Sequence, residues 1–340
     1  MTAEMEIDLE ELVGSAFANT TGPGTDDQFS GVVRVEQPDG SRVELARGFA
    51  DRANNRPIST STRFAVASAT KGLTALAMMS LVEEGLLSLE APVVEWVGGR
   101  LPLIDKRVTV GQLLEHTSGI GDYLDEEQLG NIDDHVLDVS AHTLDAPSDY
   151  LDLLAPLSQV SEPGSVFAYN NSGYVLLSII VEQITGSFHD AVHDRILLPA
   201  GMSAAGFFRS DDLPADVALG YLEDGRTNVF HLPVIGAGDG GIYLGLDDVS
   251  ALWDALFDGR LVSPSIVRSM TEPRNSGTNG DYGMGFWVRP DGQRVWLEGM
   301  DPGVSFFSER DPASGMTYTV MSNTSSGVWP IGKRFRALFG

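Results

Sequence analysis

The sequence contains no cysteine, so disulfide staples, thiol nucleophiles and cysteine-bound metals are excluded. Lysine is nearly as scarce: Lys71, Lys106 and Lys333 are the only three in 340 residues. In all, 22 basic residues stand against 48 acidic ones, a formal net charge of −26. That balance argues against nucleic acid and anionic membrane surfaces as partners. Apolar runs long enough to span a membrane, about 20 residues, are also missing. Residues 1–11 are acidic and lack the basic-then-apolar pattern of a secretory signal, so the expected location is the cytoplasm.

The acidity carries a prediction of its own. Self-repulsion destabilises a compact acidic chain at low ionic strength. The melting temperature is expected to rise as sodium chloride approaches physiological strength, where the Debye length is about 8 Å. A flat or falling trend in a thermal scan would leave a GC-rich genome, which favours Arg and Asp over Lys, as the explanation.

What remains is an ordinary globular composition, 42% hydrophobic with mean hydropathy near zero. The most informative stretch is Phe64 to Leu87, FAVASATKGLTALAMMSLVEEGLL. From Lys71 to Gly85 its residues suit a helix that is apolar on nearly every side, as buried core helices are. Gly85 is placed to end it. Ser68 falls at or just before the N-terminus, and Lys71 lies three residues on, where side chains on one helix face meet. A serine N-cap would normally be reinforced at that position by Glu or Gln. A lysine there opposes the helix dipole, and burial disfavours its charge. Both effects lower its pKa, and a partly neutral lysine beside a hydroxyl can activate a nucleophile. The backbone N–H of Ser68 would face a developing oxyanion. Ser-x-x-Lys alone remains a short motif for which simple capping is a competing reading.

Around this centre, residues 5–18 are expected to form a short amphipathic helix and Thr20 to Asp27 a loop. Phe29 to Gln37 and Arg42 to Phe49 flank Pro38-Asp-Gly40 as a hairpin. Val108 to Glu115 is a helix capped by Thr109, leading into His116-Thr-Ser-Gly119. Residues 122–163 are acidic and irregular. Further on, Tyr169-Asn170-Asn171 lies in a loop before an apolar helix that begins at Tyr174 and ends at Gly186.

Ser68-Ala-Thr-Lys71 followed by Tyr169-Asn170-Asn171 resembles the serine β-lactamase-like hydrolases. The branch is that of class C β-lactamases, D-alanyl-D-alanine carboxypeptidases, D-aminopeptidases and carboxylesterases. HTSGI at 116–120, YNNSGYVLLSIIVEQITG, PAGM at 199–202, the GDGGIYLGLDD segment and YGMGFWV at 282–288 extend the likeness over nearly the whole chain. The resemblance implies an α/β fold with an antiparallel sheet flanked by helices. Residues 1–95 and 231–340 would build it, with a mostly helical domain inserted at 96–230 and the site in the cleft between them. Strands are expected at Gly283 to Val288, Arg294 to Glu298, Val304 to Ser308 and Thr317 to Ser322, and a final helix at Val328 to Phe339.

The implied chemistry is acyl transfer through an acyl-enzyme on Ser68, with Lys71 and Tyr169 sharing its proton, Asn171 holding Lys71 or the substrate, and no cofactor or metal. The substrate would be a small ester or amide. The sequence departs from the family at the third motif, usually Lys-Thr-Gly or His-x-Gly. Here the chain reads Trp296-Leu-Glu-Gly-Met-Asp-Pro-Gly303, and no histidine follows His231. Aligning Glu298-Gly299-Met300 with the motif makes Glu298, Met300 and Asp301 the expected substrate contacts. A cleft without the usual cation favours an esterase. The alternatives are a D-amino-acid peptidase, DD-carboxypeptidase or β-lactamase, and a binding protein that keeps the fold without turnover.

Other candidates weigh less. No G-x-S-x-G elbow occurs, which removes an ordinary α/β-hydrolase. Gly236 to Gly245 has neither a phosphate-loop lysine nor a dinucleotide fingerprint and reads as a turn. His189 and His193 have i,i+4 spacing but lack the glutamate of a zinc-protease helix, so two solvated histidines are expected. His116 either lines the cleft or, the weightier reading, caps or packs.

Overall fold

The computed structural model describes residues 7–17, 29–126, 129–277 and 280–339. The expected loop at Thr20 to Asp27 lies outside them. The main sheet has eight strands: β1 (Gly31–Glu36), β2 (Arg42–Arg47), β3 (Asn275–Ser276), β4 (Asp281–Tyr282), β5 (Trp287–Val288), β6 (Val295–Asp301), β7 (Val304–Arg310) and β8 (Thr317–Ser322). Their order is β2-β1-β8-β7-β6-β5-β4-β3, every pair antiparallel. The fold is therefore α/β, β-lactamase/transpeptidase-like, with helices flanking an antiparallel sheet. Of the strand expected over Gly283 to Val288 only the last two residues pair, as β5, because Gly283 to Phe286 forms a turn after β4.

Both faces of the sheet are buried. Successive side chains in a strand point to opposite faces, so the central strands are buried along almost their whole length rather than at alternate residues. Val32, Leu297, Phe306 and Met321 join the larger core, with the Thr70–Glu83 helix at its centre. Val33, Val35, Trp296, Phe307, Tyr318 and Val320 meet a second core. That face is covered by the Leu9–Phe17 helix and the Trp329–Phe339 helix. Fully burying one such side chain is worth about 1.5–3 kcal/mol.

Twelve residues of the Thr70–Glu83 helix are buried, Thr70 through Leu81 without a break. The Asn171–Thr185 helix packs against it and ends at Gly186, whose φ of +92° only glycine adopts without strain. Thr109 caps the short Val110–Leu114 helix in a capping box with Gln112, as its sequence suggests. Between residues 94 and 200 the structure is mostly short helices, and among the described residues no single helix is long and apolar enough to cross a membrane.

Candidate active site

Ser68 does not sit in the first turn of the long helix. It occupies a 3-10 turn, Ala67–Ala69, immediately before it. Ala67 has φ +48°, a left-handed conformation that costs a non-glycine residue about 1–3 kcal/mol and clusters at functional sites. Its cause is packing: β6 lies directly against the turn. A Cβ at Gly299 would stand 2.3 Å from the Val66 carbonyl oxygen and 2.7 Å from the Ser68 nitrogen, so the strand approaches Ser68 as only glycine allows. Gly299→Ala is expected to displace the turn, lowering both the melting temperature and the hydrolysis rate, as a thermal scan and an ester assay would register.

Lys71 is 1% exposed. Its Nζ donates to Ser68 Oγ at 2.8 Å, to Asn171 Oδ1 at 2.7 Å and to the Asp239 carbonyl oxygen at 2.9 Å, which uses all three ammonium protons. Burial pulls its pKa below the usual lysine value, against the attraction of Asp239, Glu126, Asp301 and Asp122. The Tyr169 hydroxyl lies beside Ser68, and burial holds its phenol well above the usual range. Its ring centroid lies 5.0 Å from Lys71 Nζ. Ser68, Lys71, Tyr169 and Asn171 therefore converge at one place.

Asn171 is not in a loop but is the first residue of its helix, capped by Asn170, whose Oδ1 accepts from Gly173 N at 2.7 Å. Asp122 takes the N–H of Asn171 at 2.8 Å and of Ser172 at 2.9 Å, where a carboxylate complements the helix dipole. The Asn171 amide thus has its Nδ2 held by Leu124 O at 2.8 Å and its Oδ1 aimed at Lys71.

His116 is buried and, at φ +55°, strained. Its Nδ1 accepts from Asn170 N at 3.0 Å, its carbonyl accepts from Ala168 N at 2.9 Å, and its ring lies 4.4 Å from that of Tyr169. Burial, then the Lys71 charge, keeps the imidazole well below its usual pKa, hence neutral. It packs, and it holds the segment that carries Tyr169.

The third-motif residues divide by strand alternation. Leu297, Gly299 and Asp301 face the nucleophile side: Leu297 lies against Gly72, Gly299 against Ser68, and Asp301 lines the cleft. Glu298 points to the other face, where Trp296 Nε1 donates to it at 3.1 Å and Arg336 lies 3.6 Å away. Neither Glu298 nor Met300 lines the cleft, so of the three expected contacts only Asp301 has its side chain there. His189 is not solvated either: its Nε2 meets the Gly236 carbonyl at 2.8 Å beneath the glycine-rich loop, while exposed His193 pairs with Asp194.

The loop at 236–241, read as a turn, proves to be a wall of the cleft, with Gly236, Asp239, Gly240 and Gly241 all lining it. Asp239 was missed in the sequence, as were Asp122, Tyr123 and Glu126. The Asp239 carboxylate accepts the Tyr123 hydroxyl, and burial raises its pKa. Burial likewise raises Asp122, and lifts Asp301 to about 8.

This geometry has counterparts elsewhere. Residues 16–339 match the profile of the Beta-lactamase family. The chain belongs to the beta-lactamase family. Among curated relatives, a penicillin-binding protein of Bacillus subtilis (strain 168) is 32% identical over 285 residues, 78% of this chain and 60% of its own length. Esterase EstB of Burkholderia gladioli is 36% identical over 191 residues, 53% of this chain and 47% of that protein. This beta-lactamase family chain thus spans about half to three-fifths of the length of these relatives. A crystal structure of a penicillin-binding protein from Bacillus halodurans superposes with a TM-score of 0.85 at 37% identity, covering 92% of this chain and 97% of that one.

Proposed function

We propose that the protein is a serine hydrolase that acts through an acyl-enzyme on Ser68, with small esters that carry no carboxylate as its preferred substrates. The observation that carries this reading is the 2.8 Å contact between Ser68 Oγ and a buried lysine whose pKa burial has lowered. When Lys71 gives up one of its three protons, its lone pair takes the Ser68 proton as Oγ attacks the carbonyl. Tyr169, kept protonated by burial, is suited to pass its proton to the leaving oxygen as Lys71 hands the Ser68 proton on to it, rather than to act as a tyrosinate base. Water then reverses the sequence. The oxyanion would be met by the Ser68 N–H and by an N–H of β6 beyond Trp296. There the strand pairs only with β7, and its other edge faces the nucleophile turn.

The ester preference rests on charge. The cleft is lined by Asp239 and Asp301, and among its described lining residues there is no lysine or arginine. A substrate carboxylate, the group borne by penicillins and D-alanyl peptides, would find no counter-charge beyond Lys71. A fluorescent fluorophosphonate, followed by peptide mass mapping, tests the assignment. Labelling at Ser68 is expected, and an unlabelled serine would favour a binding protein of the same fold.

A further inference from the structure

The Asp301 carboxylate receives no hydrogen bond from any described residue and forms no ion pair, although it lies half-buried in the cleft. Its neighbours make its situation worse. Asp239 raises its pKa after burial does, with Lys71 opposing and Glu126 adding to the push. A carboxyl group that is partly desolvated, beside other acids and without a donor, is costly to keep in a folded protein. It is a site where a ligand can supply what the chain does not.

The surroundings specify the ligand's charge and shape. Tyr123, Tyr150, Phe208 and Tyr243 line the same cleft. Tyr123 and Tyr150 form an edge-to-face pair with centroids 6.0 Å apart, and Phe208 and Tyr243 a tilted pair at 5.7 Å. Both Tyr150 and Tyr243 feel the Asp301 charge directly. Aromatic faces attract cations, and rings gathered around a carboxylate are how proteins bind organic ammonium groups. The position is set by the strand. Asp301 stands two residues beyond Gly299 on one face of β6, about 6.6–6.8 Å along it, and Gly299 touches the Ser68 turn.

We propose that this cleft recognises a substrate bearing an organic ammonium group within a few bonds of the scissile carbonyl, held by Asp301 and the rings of Tyr123, Tyr150, Phe208 and Tyr243. The proposal rests on the hydrolase reading and names the substrate class of that site. The cation replaces the missing donor at Asp301 and lies over the aromatic faces. The uncharged end of the molecule packs against Leu137, Leu232 and Pro233, which line the same cleft.

The test separates binding from turnover. Choline and 3,3-dimethylbutan-1-ol have the same shape and differ in charge. Each is titrated calorimetrically into Ser68→Ala at about pH 9, above the raised Asp301 pKa of about 8, where the carboxyl is ionised. Choline is expected to bind at least about tenfold more tightly than the alcohol, roughly 1.4 kcal/mol. Asp301→Asn in the same background is expected to remove most of that preference, and Asp301→Glu to retain part of it. Equal affinities, no binding of choline, or a preference that survives Asp301→Asn would each overturn the proposal. Because no hydrolysis is measured, these outcomes are independent of fluorophosphonate labelling at Ser68, which judges the hydrolase reading alone.

Discussion

Ser68→Ala is expected to abolish ester hydrolysis while the far-UV spectrum and melting temperature stay close to those of the parent protein. The hydroxyl is half-exposed at the cleft, so its loss leaves no core cavity. Lys71→Ala and Tyr169→Phe should each lower kcat by several orders of magnitude. Groups that work as one unit are strongly non-additive, and the double variant should be little worse than the poorer single one. The two singles should differ in stability. Lys71 donates to three acceptors in a buried setting, and its removal leaves Asn171 Oδ1 and the Asp239 carbonyl without their donor, at about 1–3 kcal/mol each. Steady-state kinetics and thermal unfolding on the same preparations check both parts. Full activity in Ser68→Ala would end the assignment.

A short-chain p-nitrophenyl ester is expected to exceed a chromogenic cephalosporin in kcat/KM by at least about a hundredfold, roughly 2.7 kcal/mol in transition-state terms. The cause is the acid lining of the cleft. Like charges about 4 Å apart repel by about 4 kcal/mol at a protein surface. The size of the gap should depend on pH, and its sign follows from Asp301. With its pKa raised to about 8, the carboxyl is neutral below that value and negative above it. Cephalosporin KM should therefore climb between about pH 6 and about pH 9, and the ester's much less. Asp301→Lys should narrow the gap. Glu298→Lys should act less directly on the substrate, because Glu298 is turned toward Trp296 and Arg336. A wild-type protein that cleaves the cephalosporin as fast as the ester is a β-lactamase instead.

Much of the site is legible where one local signal fixes a residue's place. Ser68 and Lys71 are joined by helix geometry, and the apolar run behind them announces burial. Tyr169 and Asn171 precede a second such run. The carboxylates around Lys71 are not legible in the same way. Asp122, Glu126 and Asp239 come from irregular loops with no periodicity, and only tertiary packing brings them to one ammonium. Glu298 illustrates a different failure. The motif letters suggested a register, but the two-residue period of a strand decides which side chains share a face. Once Gly299 is seen to be the residue against Ser68, alternation puts Leu297 and Asp301 on the Ser68 side of the strand, with Asp301 in the cleft, and Glu298 on the far side. His116 was rightly weighted toward packing, yet the sequence held no sign that its ring would lie against Tyr169. The strand expected from Gly283 was lost to a turn that the two glycines at 283 and 285 allow.

The pairing of β1 with β8 has a consequence for synthesis. Val33 lies opposite Val320, so at about 5–20 residues per second the first strand leaves the ribosome roughly 15–60 seconds before its partner. During that wait the β1–β2 hairpin has an open edge and an apolar face built by Val33, Val35, Val43 and Leu45, the usual conditions for aggregation. Its own charges are the safeguard: Arg34 pairs with Glu44, and Arg42 with Glu36, across the two strands. Gly299 reaches the Ser68 turn only within the same late interval. The nascent chain therefore carries Ser68 for most of translation without the strand that packs against its turn, and the cleft is complete only once the last strands close the sheet.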